Sequence, residues 1–178
     1  IISVIVGYYF WGRDPKISNP VITITNSPAL IFDKSVSSPK IKLVVNDSIP
    51  ISENVYLITI AVWNNGNKSI EKEDVRKDFY LLFQDSSIHI LDYRIVSENL
   101  SGTANFTLHQ TSERRFKINW DYFDPDYGFK VQFIFTGERQ TPISFSGSAV
   151  GAKFGSVTLK DPDTNKMLIG LIILLCLA

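Results

Sequence analysis

The chain has 178 residues, with 18 Lys and Arg against 18 Asp and Glu, so its formal net charge is zero at neutral pH. A domain without a basic excess lacks the electrostatic footprint of a general nucleic-acid binder, which excludes nucleic acid as a partner. The single cysteine, Cys176, lies in an apolar run, so disulfides and thiolate zinc sites play no part in the soluble domain.

Residues 1–11 are apolar, and the rings of Tyr8, Tyr9, Phe10 and Trp11 are followed at once by Gly12, Arg13, Asp14, Pro15 and Lys16. Aromatic rings with a basic flank and a helix-breaking proline mark the exit of a membrane helix. Residues 167–178 carry no charge at all. Neither run reaches the roughly 20 residues that a helix needs to cross a bilayer. Each is cut by a chain end, so the expectation is a piece of a longer protein that begins and stops inside two transmembrane helices. The chain then divides into the end of one helix at 1–12, a juxtamembrane linker at 13–19, a β domain at 20–160, a linker at 161–166 and the start of a second helix at 167–178.

Between the ends the pattern is that of strands. The first is 21–25, and in the second Ile41, Leu43 and Val45 alternate with Lys40 and Lys42. Residues 55–63 are apolar on both faces, as in a central strand covered by a second layer, which places Trp63 in the core. That strand stops at Asn64, Asn65, Gly66 and Asn67, where the Asn-Gly pair supplies positive φ cheaply. Residues 69–75, with Glu71, Glu73 and Asp74, carry the one hint of a helical turn.

Strands follow at 80–83 and 88–96, and then Ala104, Phe106 and Leu108 alternate with Asn105, Thr107 and His109. Next, Phe116, Ile118, Trp120 and Tyr122 alternate with Arg115, Lys117, Asn119 and Asp121, a period of two that sends one face to a core and the other to water. Phe129, Val131, Phe133 and Phe135 repeat the pattern, and 143–150 form a last strand. Trp120 and Phe133 are expected in one core with Trp63. The connection at 123–128 has turn chemistry, so its two strands are expected to form an antiparallel hairpin. Many short strands with turns between them give an all-β fold, an antiparallel β-sandwich of immunoglobulin-like architecture, here flanked by two truncated transmembrane helices.

Three blocks resemble a known pattern: residues 56–75 (YLITIAVWNNGNKSIEKEDV), 120–137 (WDYFDPDYGFKVQFIFTG) and 143–151 (ISFSGSAVG). They are similar to successive blocks of an uncharacterised bacterial family of membrane-anchored β-sandwich domains. That family has a Trp-Asn-x-Gly-Asn turn, an Asp/Asn-Pro-x-x-Gly hairpin and a Gly-containing last strand. The resemblance implies fold and membrane attachment, and it brings no catalytic residues. The apolar run after the domain departs from the family pattern.

Candidates for chemistry are few. Asp121, Asp124 and Asp126 put three carboxylates within six residues, a weak metal candidate because alternate oxygen ligands in a Gly-containing loop suit a hard cation. Pro125 stiffens the loop, however, and Pro-Asp-x-Gly is ordinary turn chemistry. His89 and His109 sit in separate strands, and no nucleophile elbow, phosphate-cradling glycine loop or dinucleotide fingerprint accompanies them. Asn46, Asn67, Asn99 and Asn105 each open an Asn-x-Ser/Thr triplet, which matters only in a secretory pathway of eukaryotic type. The chain is therefore read as a non-enzyme without a cofactor.

Two functions remain. One is an interaction or scaffold domain anchored at a membrane, in contact with lipid and with a protein partner or a second copy. The alternative is a sensor whose β domain binds a small molecule and acts through the membrane helices. A deep pocket with converging polar groups would favour the sensor, and a filled core the scaffold. Arg13, Lys16, Lys160 and Lys166 flank both boundaries on the domain's side, which favours the cytoplasmic face of the membrane.

Overall fold

Alternation of apolar and polar side chains builds two sheets whose apolar faces meet. The computed structural model describes residues 16–36, 44–45, 49–99, 103–140, 142–154 and 158–159. Its strands are β1 (Pro20–Ile24), β2 (Ala29–Phe32), β3 (Val44–Val45), β4 (Ile49–Pro50), β5 (Val55–Asn64), β6 (Val75–Phe83), β7 (His89–Glu98), β8 (Thr107–Ser112), β9 (Arg115–Asn119), β10 (Gly128–Thr136), β11 (Ile143–Ala149) and β12 (Thr158–Leu159). The larger sheet has the order β12-β1-β5-β10-β7, with β2 also on β5. The smaller has the order β11-β6-β9-β8, and β3 pairs with β4 apart from both.

The core lies between the sheets. Ile58, Ile60 and Val62 of β5 and Val131, Phe133 and Phe135 of β10 face Phe79, Leu81 and Phe83 of β6 and Phe116 and Ile118 of β9, all buried. Phe133 bridges the layers, 5.0 Å from the ring of Phe83 and 4.9 Å from that of Phe116. Fully burying one such side chain contributes about 1.5–3 kcal/mol, so this aromatic column is a principal source of stability. Trp120, 5% exposed, caps it at one end, 4.9 Å from Phe79 and 5.3 Å from Phe123.

The structure corrects the sequence expectations at several points. The flanking transmembrane helices are not part of this fold: the helical element among the described residues is the three-residue 3-10 turn Lys72–Asp74, and no helix there is long and apolar enough to cross a membrane. Residues 1–12 and 167–178, on which that expectation falls, lie outside the described residues, as do Lys40–Lys42 of the second expected strand. The sandwich is not wholly antiparallel, because β12 runs parallel to β1.

The expected hairpin through 123–128 does not form. β9 pairs with β6 and β8, whereas β10 pairs with β5 and β7, so the connection crosses from one sheet to the other. The hairpin in this region is β8 with β9, turning at Glu113 and Arg114. Alternation shows which face of a strand is buried and is blind to its neighbour. Tyr122, expected inside, lies beyond the end of β9 and is 57% exposed.

Trp63 is also outside the core. Val62 and Asn64 are both fully buried, so the pleat sends the residue between them outward. There Trp63 shares the outer face of the larger sheet with Val21 and Gly128, its partners on β1 and β10.

Candidate functional site

The end of the sandwich where β5 stops is assembled around one buried amide. Asn64 donates from Nδ2 to the carbonyls of Lys68 at 2.8 Å and Phe123 at 3.1 Å, and its Oδ1 accepts from the amides of Asn19 at 3.0 Å and Gly66 at 3.1 Å. Its backbone adds two bonds to the acidic loop, from its own N–H to the Tyr127 carbonyl and from the Asp126 N–H to its carbonyl. A buried polar group costs free energy unless it is hydrogen-bonded, and here every donor and acceptor of the side chain has a partner. The Trp-Asn-x-Gly-Asn turn, the start of β1 and the acidic loop are thereby one unit.

The acidic loop itself is a turn. The Tyr127 N–H donates to the Asp124 carbonyl at 3.0 Å, with Pro125 and then Asp126 at the two central positions and Asp126 at φ +63°. Proline followed by a residue of positive φ is the pattern of a type II turn. Asn99 secures it from outside, donating to the Asp126 carbonyl and accepting from the Gly128 N–H at 2.6 Å.

The three aspartates separate onto two sides of this loop. Asp121 faces a groove of about 590 Å³ on the side of the smaller sheet, lined also by Lys72, Asp78, Asn105, Asn119 and Trp120. Asp126 lines a groove of about 380 Å³ on the other side, and Asp124 lines neither. Among the described residues no group of three or more His, Cys, Asp or Glu side chains could hold a metal ion. His89 and His109, on β7 and β8, lie on different sheets and are both exposed.

In the larger groove the charged groups engage one another. Asp121 accepts from Asn105 Nδ2 at 2.7 Å and from Lys72 Nζ at 3.0 Å. The Asn105 amide first, and then Lys72, hold its carboxyl below the ordinary carboxylate range. Asp78 is likewise paired with Lys117 at 2.7 Å. The indole of Trp120 donates to the Ile70 carbonyl at 3.2 Å.

The smaller groove differs in that, Asn99 apart, its side-chain groups are uncommitted among the described residues. Its wall is Trp63, half-buried, with Ala61, Ser97, Glu98, Asn99, Asp126, Gly128 and Lys130 around it. Among the described residues the indole N–H of Trp63 has no partner, and Glu98, Asp126 and Lys130 form no ion pair. Gly128 opposite is required by close approach, since a Cβ there would collide with the Val62 carbonyl oxygen and with Trp63 Cβ. Sequence reasoning missed Trp63 as a surface residue; the available signal was Asn64, whose turn role and position in the pleat oblige its neighbour to face out.

No family model matches the chain, and no curated protein matches it in sequence. Among solved structures it is similar to a chain of biomass-sensing modules from Rsgi-like proteins of Clostridium thermocellum, described as resembling the family 3 carbohydrate-binding module of the cellulosome. The likeness has a TM-score of 0.26 at 9% identity, over 61% of this chain and 76% of that one. Similarity so slight bears on neither ligand nor activity. The fold is a two-sheet β domain, as the resemblance of the three sequence blocks implies, but the Asp-Pro-x-x-Gly segment joins the two sheets and is no hairpin, and no family model matches.

Proposed function

We propose that this domain is a non-catalytic binding module that takes a neutral, hydroxyl-rich ligand, a saccharide, against Trp63. The observation that carries the reading is the half-buried indole in a groove with its N–H unpartnered. Buried tryptophans ordinarily satisfy that donor, as Trp120 does. A sugar offers what such a wall can use: an apolar C–H face for the ring and hydroxyls for the N–H and for Ser97, Glu98, Asp126 and Lys130. Carboxylates and an ammonium side by side suit groups that both donate and accept, and they disfavour a strongly charged ligand.

Of the two functions read from the sequence, the sensor with a deep pocket loses support, because the core is filled with aromatic side chains. The saccharide reading is a binding form of the interaction domain, supported by convergent polar groups around an apolar wall on the surface. The test is titration of a panel of neutral oligosaccharides, followed by tryptophan fluorescence and calorimetry. Saturable binding that is lost in Trp63→Ala, with the domain still folded by its cooperative melting, is expected. Absence of binding across the panel, or binding that survives Trp63→Ala, overturns the reading.

A further inference from the structure

We infer that two copies of this chain associate through β8. The strand is an edge of its sheet, and among the described residues only β9 pairs with it. An edge presents unpaired N–H and C=O groups and invites another strand, so natural edges are guarded by charge, proline, irregular register or a cover.

The edges β7, β11 and β12 have such guards, and β2, which among the described residues pairs with β5 alone, has only four residues and a register break between Leu30 and Phe32. β7 carries Asp92, Arg94 and Glu98, and its register on β10 breaks twice. β11 is irregular at two places against β6, and the chain after it is bonded elsewhere, Val150 to Asp74 and Lys153 to Ser18. β12 has two residues. β8, with the sequence TLHQTS, contains no charged residue and no proline. Its register with β9 is regular from Thr107 to Gln110, and its one irregularity falls at the hairpin end. All its side chains are exposed except that of Leu108, which is half-buried.

The occupant that fits is a second β8. An uncharged strand meets no like-charge repulsion from its copy, whereas a charged peptide finds no complement on it. Two such strands running antiparallel about a two-fold axis form an isologous contact, in which every hydrogen bond is made twice. The two four-stranded sheets then become one continuous sheet. Thr107, which opens β8, lines the Asp121 groove, so the two copies of that groove lie at opposite ends of the seam. The inference is independent of the saccharide reading.

Sedimentation velocity of the full chain over a concentration series tests it, with Thr111→Lys and the double variant His109→Lys, Thr111→Lys alongside. The expected result is a mass rising toward twice that of the monomer, weakened by the first variant and abolished by the second, with both variants still folded by circular dichroism and cooperative melting. Hydrogen exchange on the unsubstituted chain, in which β8 amides gain protection as concentration rises, gives a readout that needs no variant. A monomer at every concentration, association that both lysine variants retain, or β8 amides protected only when a peptide of another sequence is added, overturns the inference.

Discussion

Trp63 and Trp120 stand beside the same loop end and have opposite fates. Trp120 follows β9, points between the sheets, rests on Phe79 and Phe123 and gives its N–H to the Ile70 carbonyl. Trp63 stands in β5 one residue before a buried asparagine and points away from the core, its N–H without a partner among the described residues. The difference teaches that the hydrophobicity of a side chain does not decide its side of a sheet when a neighbour has the stronger claim. Asn64 has four side-chain hydrogen bonds to make inside, and the pleat allows only alternate residues there.

The sharpest way to break this comparison is to truncate both rings. Trp120→Ala removes a buried aromatic and is expected to lower stability by about 3–5 kcal/mol, read from the denaturant midpoint. Asn64→Ala comes next. It leaves the Lys68 and Phe123 carbonyls and the Asn19 and Gly66 amides short of a partner, a loss of about 2–3 kcal/mol, and it should loosen the Trp63 groove as well. Trp63→Ala should cost less than Trp120→Ala while abolishing saccharide binding, since the ring on the outer face keeps part of its surface in water. Equal destabilisation by the two tryptophan variants would show that both rings are core.

Smaller effects sharpen the contrast between the two grooves. The carboxyl of Asp121 is depressed in the folded state, by Asn105 and then Lys72, and a depressed carboxyl stabilises the fold above its unfolded pKa and ceases to do so as pH falls through its folded pKa. Stability should therefore be flat at neutral pH and fall slightly as the solution is acidified through and below the carboxylate range around 3.8. Asp33 and Asp85, each lowered by bonds from a serine two residues on, act in the same sense. Asp121→Asn should reduce that acid limb, followed as melting temperature against pH, and should leave saccharide binding at Trp63 intact. The smallest expected effect is none: calcium should not raise the melting temperature, and a rise abolished by Asp124→Asn with Asp126→Asn would give the loop an ion.

Much of the architecture was legible in the sequence. The strands at 21–25, 55–63, 129–135 and 143–150 lie within a residue or two of β1, β5, β10 and β11, because apolar runs of strand length bounded by turn residues mark a strand's extent. The helical hint at 69–75 became the turn Lys72–Asp74. Pairing was not legible, since nothing in residues 115–135 tells a hairpin from a crossover. The exposed ALIF strand β2 was missed because its pattern lacks alternation. At the loop end, Asp124 and Asp126 spelled a turn, but the meeting of that turn with the asparagine turn, which makes the Trp63 groove, depends on contacts between residues far apart in the chain.

That distance has a kinetic consequence. The groove is walled by β5, the end of β7, the acidic loop and β10, and its linchpin, Asn64, bonds to residues 45 positions before and 59 after it. Closing such separations is slow compared with local contacts, and no fragment of the chain can assemble the groove early. It exists only when the whole domain has folded. A ligand that recognises it must then stabilise every strand at once, by mass action on a cooperative unit, and binding becomes a direct count of molecules that have completed folding.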